Sequence, residues 1–137
     1  MRQIKKILVP LDGSTCSRRA LDMAISLSRG KETAITGMHV IRIPMVFTNK
    51  IKRQARQYAT KIMAEALRDS KKQGVPFRSK ISSDGYAGKE IVQFAKNNEF
   101  DLIVMGSRGP HPIAEMFLGS VANYVLTKSK IPVMIVR

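Results

Sequence analysis

Three observations predict that the chain folds as a doubly wound α/β domain, a five-stranded parallel sheet with helices on both faces. Short apolar runs rich in β-branched residues alternate with segments of helical periodicity along the whole chain. Such alternation indicates right-handed βαβ crossovers and therefore a parallel sheet. The length of 137 residues fits one domain, and 44% hydrophobic residues are enough for a buried core. We therefore expect a single domain over residues 1–137.

The first strand and the first helix come early in the chain. Residues 7–11 form an uninterrupted apolar run, which is typical of a strand that is covered on both faces. Apolar residues then recur at helical spacing. Ser14 or Ser17 is the candidate N-cap of this helix, and Gly30 is its stop signal.

A second strand, predicted at residues 34–41, precedes the longest helical pattern of the chain. Gly37 weakens the strand prediction, because glycine has no side chain to pack in a sheet. From about residue 49 to residue 73, apolar residues recur on one stripe and basic residues lie opposite, which predicts an amphipathic helix. The stripe contains Ile51, Ala55, Tyr58, Ile62 and Ala66, with Ala59 and Met63 beside it, and the basic side contains Lys50, Arg53, Lys61, Arg68, Lys71 and Lys72.

The second half of the chain predicts three strands separated by two helices. Residues 77–82 are the least hydrophobic of the strand candidates, so we expect this strand near an edge of the sheet. A helix at 88–97, a strand at 102–105 and a helix at 120–128 follow. The last strand, from Val133 to Val136, would be an apolar edge strand with unpaired hydrogen-bonding groups. We therefore expect the protein to form a homodimer through this strand.

A glycine-rich segment follows the fourth predicted strand. Doubly wound sheets bind ligands beyond the carboxyl ends of their strands, where the strand order reverses. Gly106 and Gly109 would allow a positive φ and a close approach of the backbone to a ligand, and Arg108 adds a positive charge. Gly119 and Ser120 open a helix, whose free N–H groups attract anions. The segment therefore predicts a phosphate site; the alternative is that the glycines are turn residues and Ser120 an N-cap.

These blocks together resemble the nucleotide-binding members of the universal stress protein family, of the UspA type. The resemblance covers essentially the whole chain and rests on the spacing Gly106-x2-Gly109-x9-Gly119-Ser120 and on residues 7–14, 101–106, 119–126 and 132–136. It implies the strand order 3-2-1-4-5, an adenine-nucleotide ligand (ATP, or ADP or AMP) and a homodimer. The first and fourth strands would then lie side by side, so that their loops share one ligand.

The resemblance also implies a set of site residues. Mg²⁺ would be held chiefly by the phosphates, and no residue is assigned as a metal ligand. Two prolines at 110 and 112, around His111, together with Glu115, depart from the usual pattern of this loop and put nucleotide affinity in question. Pro10, Asp12 and Val40 would surround the adenine and ribose, Met105, Gly106, Arg108 and Gly109 would line the ribose and phosphate path, and Gly119, Ser120 and Val121 would hold the phosphates.

Some of these residues also have plain structural interpretations. Asp12 could cap the first helix or form an Asx turn with Gly13 and Ser14 instead of binding a ligand. For Cys16, near a helix start, we favour a space-filling role over a reactive thiol. His39 is expected to be a hydrogen-bonded core residue and His111 a solvated loop residue.

Composition bounds the remaining function classes. One cysteine and two histidines exclude an intramolecular disulfide and a zinc-finger ligand set. No signal peptide and no apolar run near the roughly 20 residues of a membrane span are present, so a cytoplasmic protein is expected. The sequence contains no Walker A motif and no G-x-S-x-G elbow, so we expect binding and, at most, slow ATP hydrolysis.

The basic residues offer a different hypothesis. Lysine and arginine number 24 against 10 acidic residues, a formal net charge of +14. The segment from Lys50 to Lys80 holds ten basic and two acidic residues, which is +8 of that total. A nucleic-acid-binding module is one alternative, a solvated helix face is another, and an acidic protein partner at helix 50–72 is the third. We favour the other two interpretations over nucleic acid, since no stacking motif is evident, and we expect no membrane as partner.

Overall fold

The computed structural model describes residues 3–42, 48–83, 85–110 and 118–137, which form a parallel sheet flanked by helices. The strand order is β3-β2-β1-β4-β5, as the resemblance implies. All four strand pairings are parallel, so the predicted doubly wound α/β class is confirmed. The elements are β1 (Lys6–Pro10), α1 (Thr15–Ser28), β2 (Ala34–Val40), α2 (Asn49–Lys72), β3 (Phe77–Ser82), α3 (Ala87–Asn97), β4 (Leu102–Gly106), α4 (Ser120–Lys128) and β5 (Val133–Val136).

The core has two layers, one on each face of the sheet. Side chains alternate along β1, so Ile7 and Val9 pack against α1 and α2, and Leu8 packs on the opposite side with α3 and α4. All three are fully buried, as expected for the central strand of a doubly wound sheet. The short apolar runs of the sequence therefore become the buried middle of the molecule.

Helix α1 begins and ends where its polar residues predict. Ser14 is the N-cap, and its Oγ accepts the N–H of Ser17 at 3.1 Å. Ser17, the other candidate, lies inside the helix, and its Oγ donates to the carbonyl oxygen of Ser14. The helix ends at Ser28, and Gly30 follows with φ +72°, the left-handed conformation that favours glycine.

Helix α2 is buried along only half of its predicted apolar stripe. Burial begins at Ala59 and continues to Ser70, whereas Ile51 is 38% exposed and Tyr58 is 48% exposed. The stripe that the sequence predicts is therefore exposed at its N-terminal end. A helix of 24 residues is about 36 Å long, whereas a strand of seven residues spans about 23 Å. The first turns of α2 therefore have less sheet to cover.

The two edges of the sheet differ in chemistry. β3 forms one edge, as its low hydrophobicity predicts, and Arg78, Ser79 and Lys80 on it are exposed. β5 forms the other edge, and its four apolar residues are half-buried. None of the helices within the described residues, α2 included, combines the length and the apolar character that crossing a bilayer requires.

Gly37, which weakened the prediction of β2, has a packing role in that strand. A Cβ added there would lie 2.5 Å from the ring of Phe77 and 2.9 Å from Cδ1 of Leu11. The missing side chain therefore makes room for a neighbouring aromatic ring.

Candidate functional site

The carboxyl ends of β1 and β4 lie next to each other at the point where the strand order reverses. The two strands pair in parallel, with Leu8 opposite Ile103. From there the chain continues from β1 towards β2 on one side and from β4 towards β5 on the other. Helices α1 and α4 begin after the two loops, so both present a helix N-terminus near this edge. This is the place where doubly wound sheets bind their ligands.

Asp12 in the first loop is placed both to form an Asx turn and to contact a ligand. Its Oδ1 accepts the N–H of Ser14 at 2.8 Å, which is the Asx turn named as the structural alternative. Its Oδ2 points towards the second loop, where a Cβ added at Gly109 would lie 3.4 Å away. Asp12 is half-buried, so Oδ2 is a carboxylate oxygen at the meeting point of the two loops. A carboxylate there can accept hydrogen bonds from hydroxyl or amino groups of a ligand.

Gly106 is the last residue of β4 and Gly109 lies in the loop after it, and each lies close to the segment that follows β1. Neither Gly106 nor Gly109 is among the glycines with positive φ, so the conformational reason given from the sequence is wrong. A Cβ added at Gly106 would lie 2.7 Å from the carbonyl carbon of Cys16, so α1 packs directly on this residue. Gly106 therefore serves the packing of α1 on the sheet. Gly109 keeps space open beside Asp12.

Gly119 closes the second loop on itself. Its N–H donates to the carbonyl oxygen of Ser107 at 2.7 Å, and a Cβ added there would lie 3.4 Å from Cα of Arg108. Gly119 is the N-cap of α4, so the alternative that Ser120 is the N-cap is wrong. Ser120 is the first residue of the helix and is exposed. Its hydroxyl and the first N–H groups of α4 therefore face outward at a position that favours an anion.

The remaining predicted site residues fall into two groups. Pro10 and Val40 end β1 and β2 and are half-buried, and Val121 is half-buried on α4. Arg108 is half-buried in the second loop, and its Cα lies 3.4 Å from a Cβ added at Gly119. Met105 is different, because it is 4% exposed and belongs to the core on the α3 and α4 side. Five of the predicted residues lie close to one another in the two loops: Asp12, Arg108, Gly109, Gly119 and Ser120. The side chain of Met105 fills the core instead. His111, Pro112 and Glu115 lie outside the described residues.

Ser107, between the glycines, was missed by the sequence analysis. It is buried, its N–H donates to the carbonyl oxygen of Val136, and its own carbonyl oxygen accepts the N–H of Gly119. Its Oγ lies 3.9 Å from Sγ of Cys16. Ser107 therefore ties the second loop to β5, α4 and α1. Its position between Gly106 and Arg108 was the available signal.

Two tyrosines brace the loops from outside, and the sequence analysis assigned neither to the site. The hydroxyl of Tyr58 on α2 donates to the carbonyl oxygen of Asp12 at 3.1 Å. The hydroxyl of Tyr86, the N-cap residue of α3, donates to the carbonyl oxygen of Ser120 at 3.4 Å, and its ring packs edge-on against Tyr124. These contacts join residues 46 and 34 positions apart, so no local pattern could have indicated them.

His39 agrees with its sequence interpretation as a satisfied core histidine. It is 8% exposed, and its Nδ1 lies 2.7 Å from the carbonyl oxygen of Leu11. Since a carbonyl oxygen only accepts, Nδ1 carries the proton in this contact. The described residues contain no group of three histidine, cysteine, aspartate or glutamate side chains placed to hold a metal ion.

The fold and the two adjacent loops define a small Rossmann-like α/β protein with a helix N-terminus, which favours anions, at its strand-order reversal. The chain belongs to the universal stress protein family, because the model described as "Universal stress protein family" matches residues 3–137. The universal stress protein YxiE of Bacillus subtilis is 34% identical over 146 residues, with 96% of this chain and 98% of that protein covered.

Solved structures agree with this assignment. The structure of MJ0577, a universal stress protein of Methanocaldococcus jannaschii, matches with a TM-score of 0.88 and 31% identity, over 96% of this chain and 94% of that one. A universal stress protein solved in complex with cAMP matches with a TM-score of 0.77 and 25% identity, over 97% of both chains.

Proposed function

We propose that the chain binds an adenine nucleotide between the β1–α1 loop and the β4–α4 loop, with ATP as the ligand and ADP or AMP as alternatives. The observation that carries this proposal is the meeting of Asp12 Oδ2 with Gly109 beside the N-terminus of α4. The protein would act in the stress response in the cytoplasm, by nucleotide-dependent signalling or protection.

Different residues of the two loops suit the two ends of a nucleotide. Asp12 offers a carboxylate oxygen to the hydroxyl groups of a ribose or the amino group of an adenine, and Pro10 and Val40 offer apolar surface beside it. Ser120 and Val121, in the first turn of α4, would present N–H groups and the Ser120 hydroxyl to phosphate oxygens, Gly119 would leave room for the ligand beside them, and Arg108 adds a charge. Mg²⁺, where present, would be bound chiefly through the phosphates of the ligand.

Known relatives support this ligand class. The universal stress protein in complex with cAMP is 25% identical to this chain. Two more distant structures with the same fold, at 19% and 20% identity, contain dAMP in the protein from Archaeoglobus fulgidus and AMP in the protein from Arabidopsis thaliana. Adenine nucleotides therefore occur as ligands of this fold, which supports the proposal for this chain.

The direct experiment is denaturing extraction of freshly purified protein, followed by chromatography for adenine nucleotides. Titration with ATP and Mg²⁺ complements it, because a ligand at 100 times its Kd stabilises the folded state by about 2.7 kcal/mol. We expect co-purified nucleotide or a melting temperature raised by several degrees. Protein that carries no nucleotide, and whose melting temperature is unchanged by millimolar ATP, ADP and AMP, would contradict the proposal.

Asp12→Asn tests the carboxylate separately from the turn. Asparagine keeps an Oδ1 that can accept the Ser14 N–H, but it replaces the oxygen facing Gly109 by an amide group. We expect affinity to fall by about ten- to a hundredfold, the range for a lost hydrogen bond to a charged group. Asp22→Asn is the control: it removes a charge of the same sign from an exposed position on α1, outside the two loops, and should leave affinity unchanged.

We also propose that the protein is a homodimer in which β5 of one protomer pairs with β5 of another. β5 is an edge strand of half-buried apolar residues, Val133 to Val136, so pairing would satisfy its outward backbone groups and cover apolar surface. Light scattering at micromolar concentration should give twice the mass of the chain. A monomeric mass would refute this arrangement.

The basic side of α2, defined as Lys50, Arg53, Lys61, Arg68, Lys71 and Lys72, is proposed to bind an acidic protein partner. All six residues are exposed, and at 100° per residue they share one side of a helix about 36 Å long. No acidic residue lies among them on that side; Glu65 falls at its border, and Asp69 falls on the apolar stripe. Tyr58 projects towards the Asp12 loop instead, so this side offers no aromatic platform for single-stranded nucleic acid.

Binding of poly-L-glutamate, compared with duplex DNA at matched ionic strength, tests this surface. The double variant Arg53→Gln, Lys61→Gln should weaken poly-L-glutamate binding. Lys89→Gln, Lys96→Gln on α3 removes the same charge from exposed positions elsewhere and should not. Preferential binding of DNA with a steep salt dependence would favour the nucleic-acid alternative instead. Equal loss in both variants would mean that only net charge matters.

A further inference from the structure

Tyr58 connects α2 to the backbone of the proposed nucleotide loop. Its hydroxyl donates to the carbonyl oxygen of Asp12 at 3.1 Å across 46 residues of sequence. A Cβ added at Gly13 would lie 2.1 Å from this hydroxyl oxygen, so the tyrosine occupies the space that the glycine leaves open. Gly13 has φ +83°, a conformation in which any other residue is strained. The turn and the tyrosine are therefore fitted to each other.

A second ring holds the preceding carbonyl group. His39 of β2 donates from Nδ1 to the carbonyl oxygen of Leu11 at 2.7 Å, and its ring packs edge-on against the ring of Tyr58, with centroids 6.0 Å apart. The N–H of Leu11 donates to the carbonyl oxygen of Met38. Consecutive backbone groups of the loop are thus fixed by two aromatic side chains that contact each other. Neither ring belongs to β1 or to α1.

The orientation of the Asp12 carboxylate depends on this backbone. One carboxylate oxygen is used in the turn with Ser14, and the other faces Gly109, so a small rotation at Asp12 moves the oxygen offered to the ligand. A hydrogen bond that fixes the Asp12 carbonyl group limits this rotation. Ligand sites depend on such outer contacts, because the groups that touch the ligand must be held in a single geometry.

We propose that Tyr58 is a positioning residue of the nucleotide site and that it couples the position of α2 against the Asp12 loop to the affinity for nucleotide. This inference rests on the proposed nucleotide function. A contact on α2 that holds the helix against the loop raises the affinity for nucleotide, and bound nucleotide in turn holds α2 in place, since such coupling is reciprocal. The helix that carries the basic side is thereby the regulatory element of the site.

Tyr58→Phe tests the role of the hydroxyl, because it keeps the ring against His39 and removes only the hydrogen bond. We expect nucleotide affinity to fall about fivefold, the effect of one ordinary hydrogen bond, with little change in the melting temperature. Thr60→Val is the matched control: its hydroxyl lies on the same helix and bonds to the carbonyl oxygen of Arg56 within α2. Thr60→Val should leave affinity unchanged.

Two further measurements separate positioning from general stability. In the double variant Tyr58→Phe, Asp12→Asn the two losses should not multiply, because Tyr58 acts through Asp12. In the free protein, Tyr58→Phe should accelerate amide hydrogen exchange at residues 12–14 relative to Thr60→Val.

The outcomes distinguish this inference from the proposed function. If the wild type binds no adenine nucleotide, the proposed function fails, and unchanged exchange at residues 12–14 in Tyr58→Phe overturns the positioning role as well. If the wild type binds nucleotide but Tyr58→Phe binds it equally tightly, the positioning role is wrong and the nucleotide function stands. Losses that multiply independently in the double variant also refute the coupling through Asp12.

Discussion

Replacing Gly109 by alanine separates what this residue does for the fold from what it does for a ligand. Its φ is not in the left-handed region, so alanine fits the backbone without strain. Within the described residues, the added Cβ would have one neighbour inside 4 Å, Oδ2 of Asp12 at 3.4 Å. The methyl group would therefore occupy the space beside the Asp12 carboxylate.

The expected effects on stability and on binding have opposite signs. Alanine in place of glycine at a compatible position stabilises by about 0.4–1 kcal/mol, because it restricts the unfolded chain. A methyl group forced into a close-fitting site costs about 1–3 kcal/mol, which corresponds to about a five- to a hundredfold loss of affinity. Gly109→Ala should therefore be as stable as the wild type, or slightly more stable, and should bind nucleotide clearly less well.

Denaturant unfolding and calorimetric titration with ATP and Mg²⁺ measure the two quantities on the same protein. Gly30→Ala is the matched control. Its φ is +72° and no atom of the described part of the chain lies within 4 Å of the added Cβ, so it should lower stability by about 1 kcal/mol and leave affinity unchanged. The reasoning is refuted if Gly109→Ala destabilises the fold like Gly30→Ala, or if its nucleotide affinity equals that of the wild type.

Three further changes test the packing described above. Gly106→Ala brings a Cβ to 2.7 Å from the backbone of Cys16 and should lower the free energy of unfolding by about 1–3 kcal/mol in denaturant titrations; a stability like that of Gly109→Ala would contradict this. Ser14→Ala removes the N-cap hydrogen bond of α1 and should cost about 1 kcal/mol, so an unchanged unfolding midpoint would show that the cap is dispensable. Arg78→Val with Lys80→Val removes charge from the β3 edge and should cause association that increases with concentration in light scattering; a mass equal to that of the wild type at every concentration would speak against a protective role.

The sequence predicts the elements of this fold well because the central strands β1 and β4 are buried on both faces and appear as uninterrupted apolar runs. The run at residues 7–11 predicts β1 to within one residue, and α4 and β5 have their predicted bounds. The periodicity of α2 does not indicate how much of its apolar stripe is buried, because tertiary packing decides that. Ile51 and Tyr58 lie on the apolar stripe by periodicity, yet the sheet does not extend far enough to bury them.

The candidate site was predictable in its residue types and less so in its geometry. Asp12 and the glycines follow the strands whose ends meet, so the topology alone places them together. The reason for Gly106 and Gly109 was misjudged, because the packing of α1 and the nearness of Asp12 are long-range contacts. Tyr58 could not be found at all, since its bond to Asp12 links segments that are distant in sequence.

The unequal edges of the sheet limit how copies of this chain can assemble. If β3 could pair with β5 of the next copy, each added molecule would expose a new free edge, and growth would continue as a filament. The exposed Arg78 and Lys80 make such head-to-tail pairing unfavourable, because each new junction would bury charged side chains without partners. In the homodimer proposed above, β5 pairs with another β5 across a twofold axis, so both apolar edges are used. The proposed pairing would therefore stop at two copies.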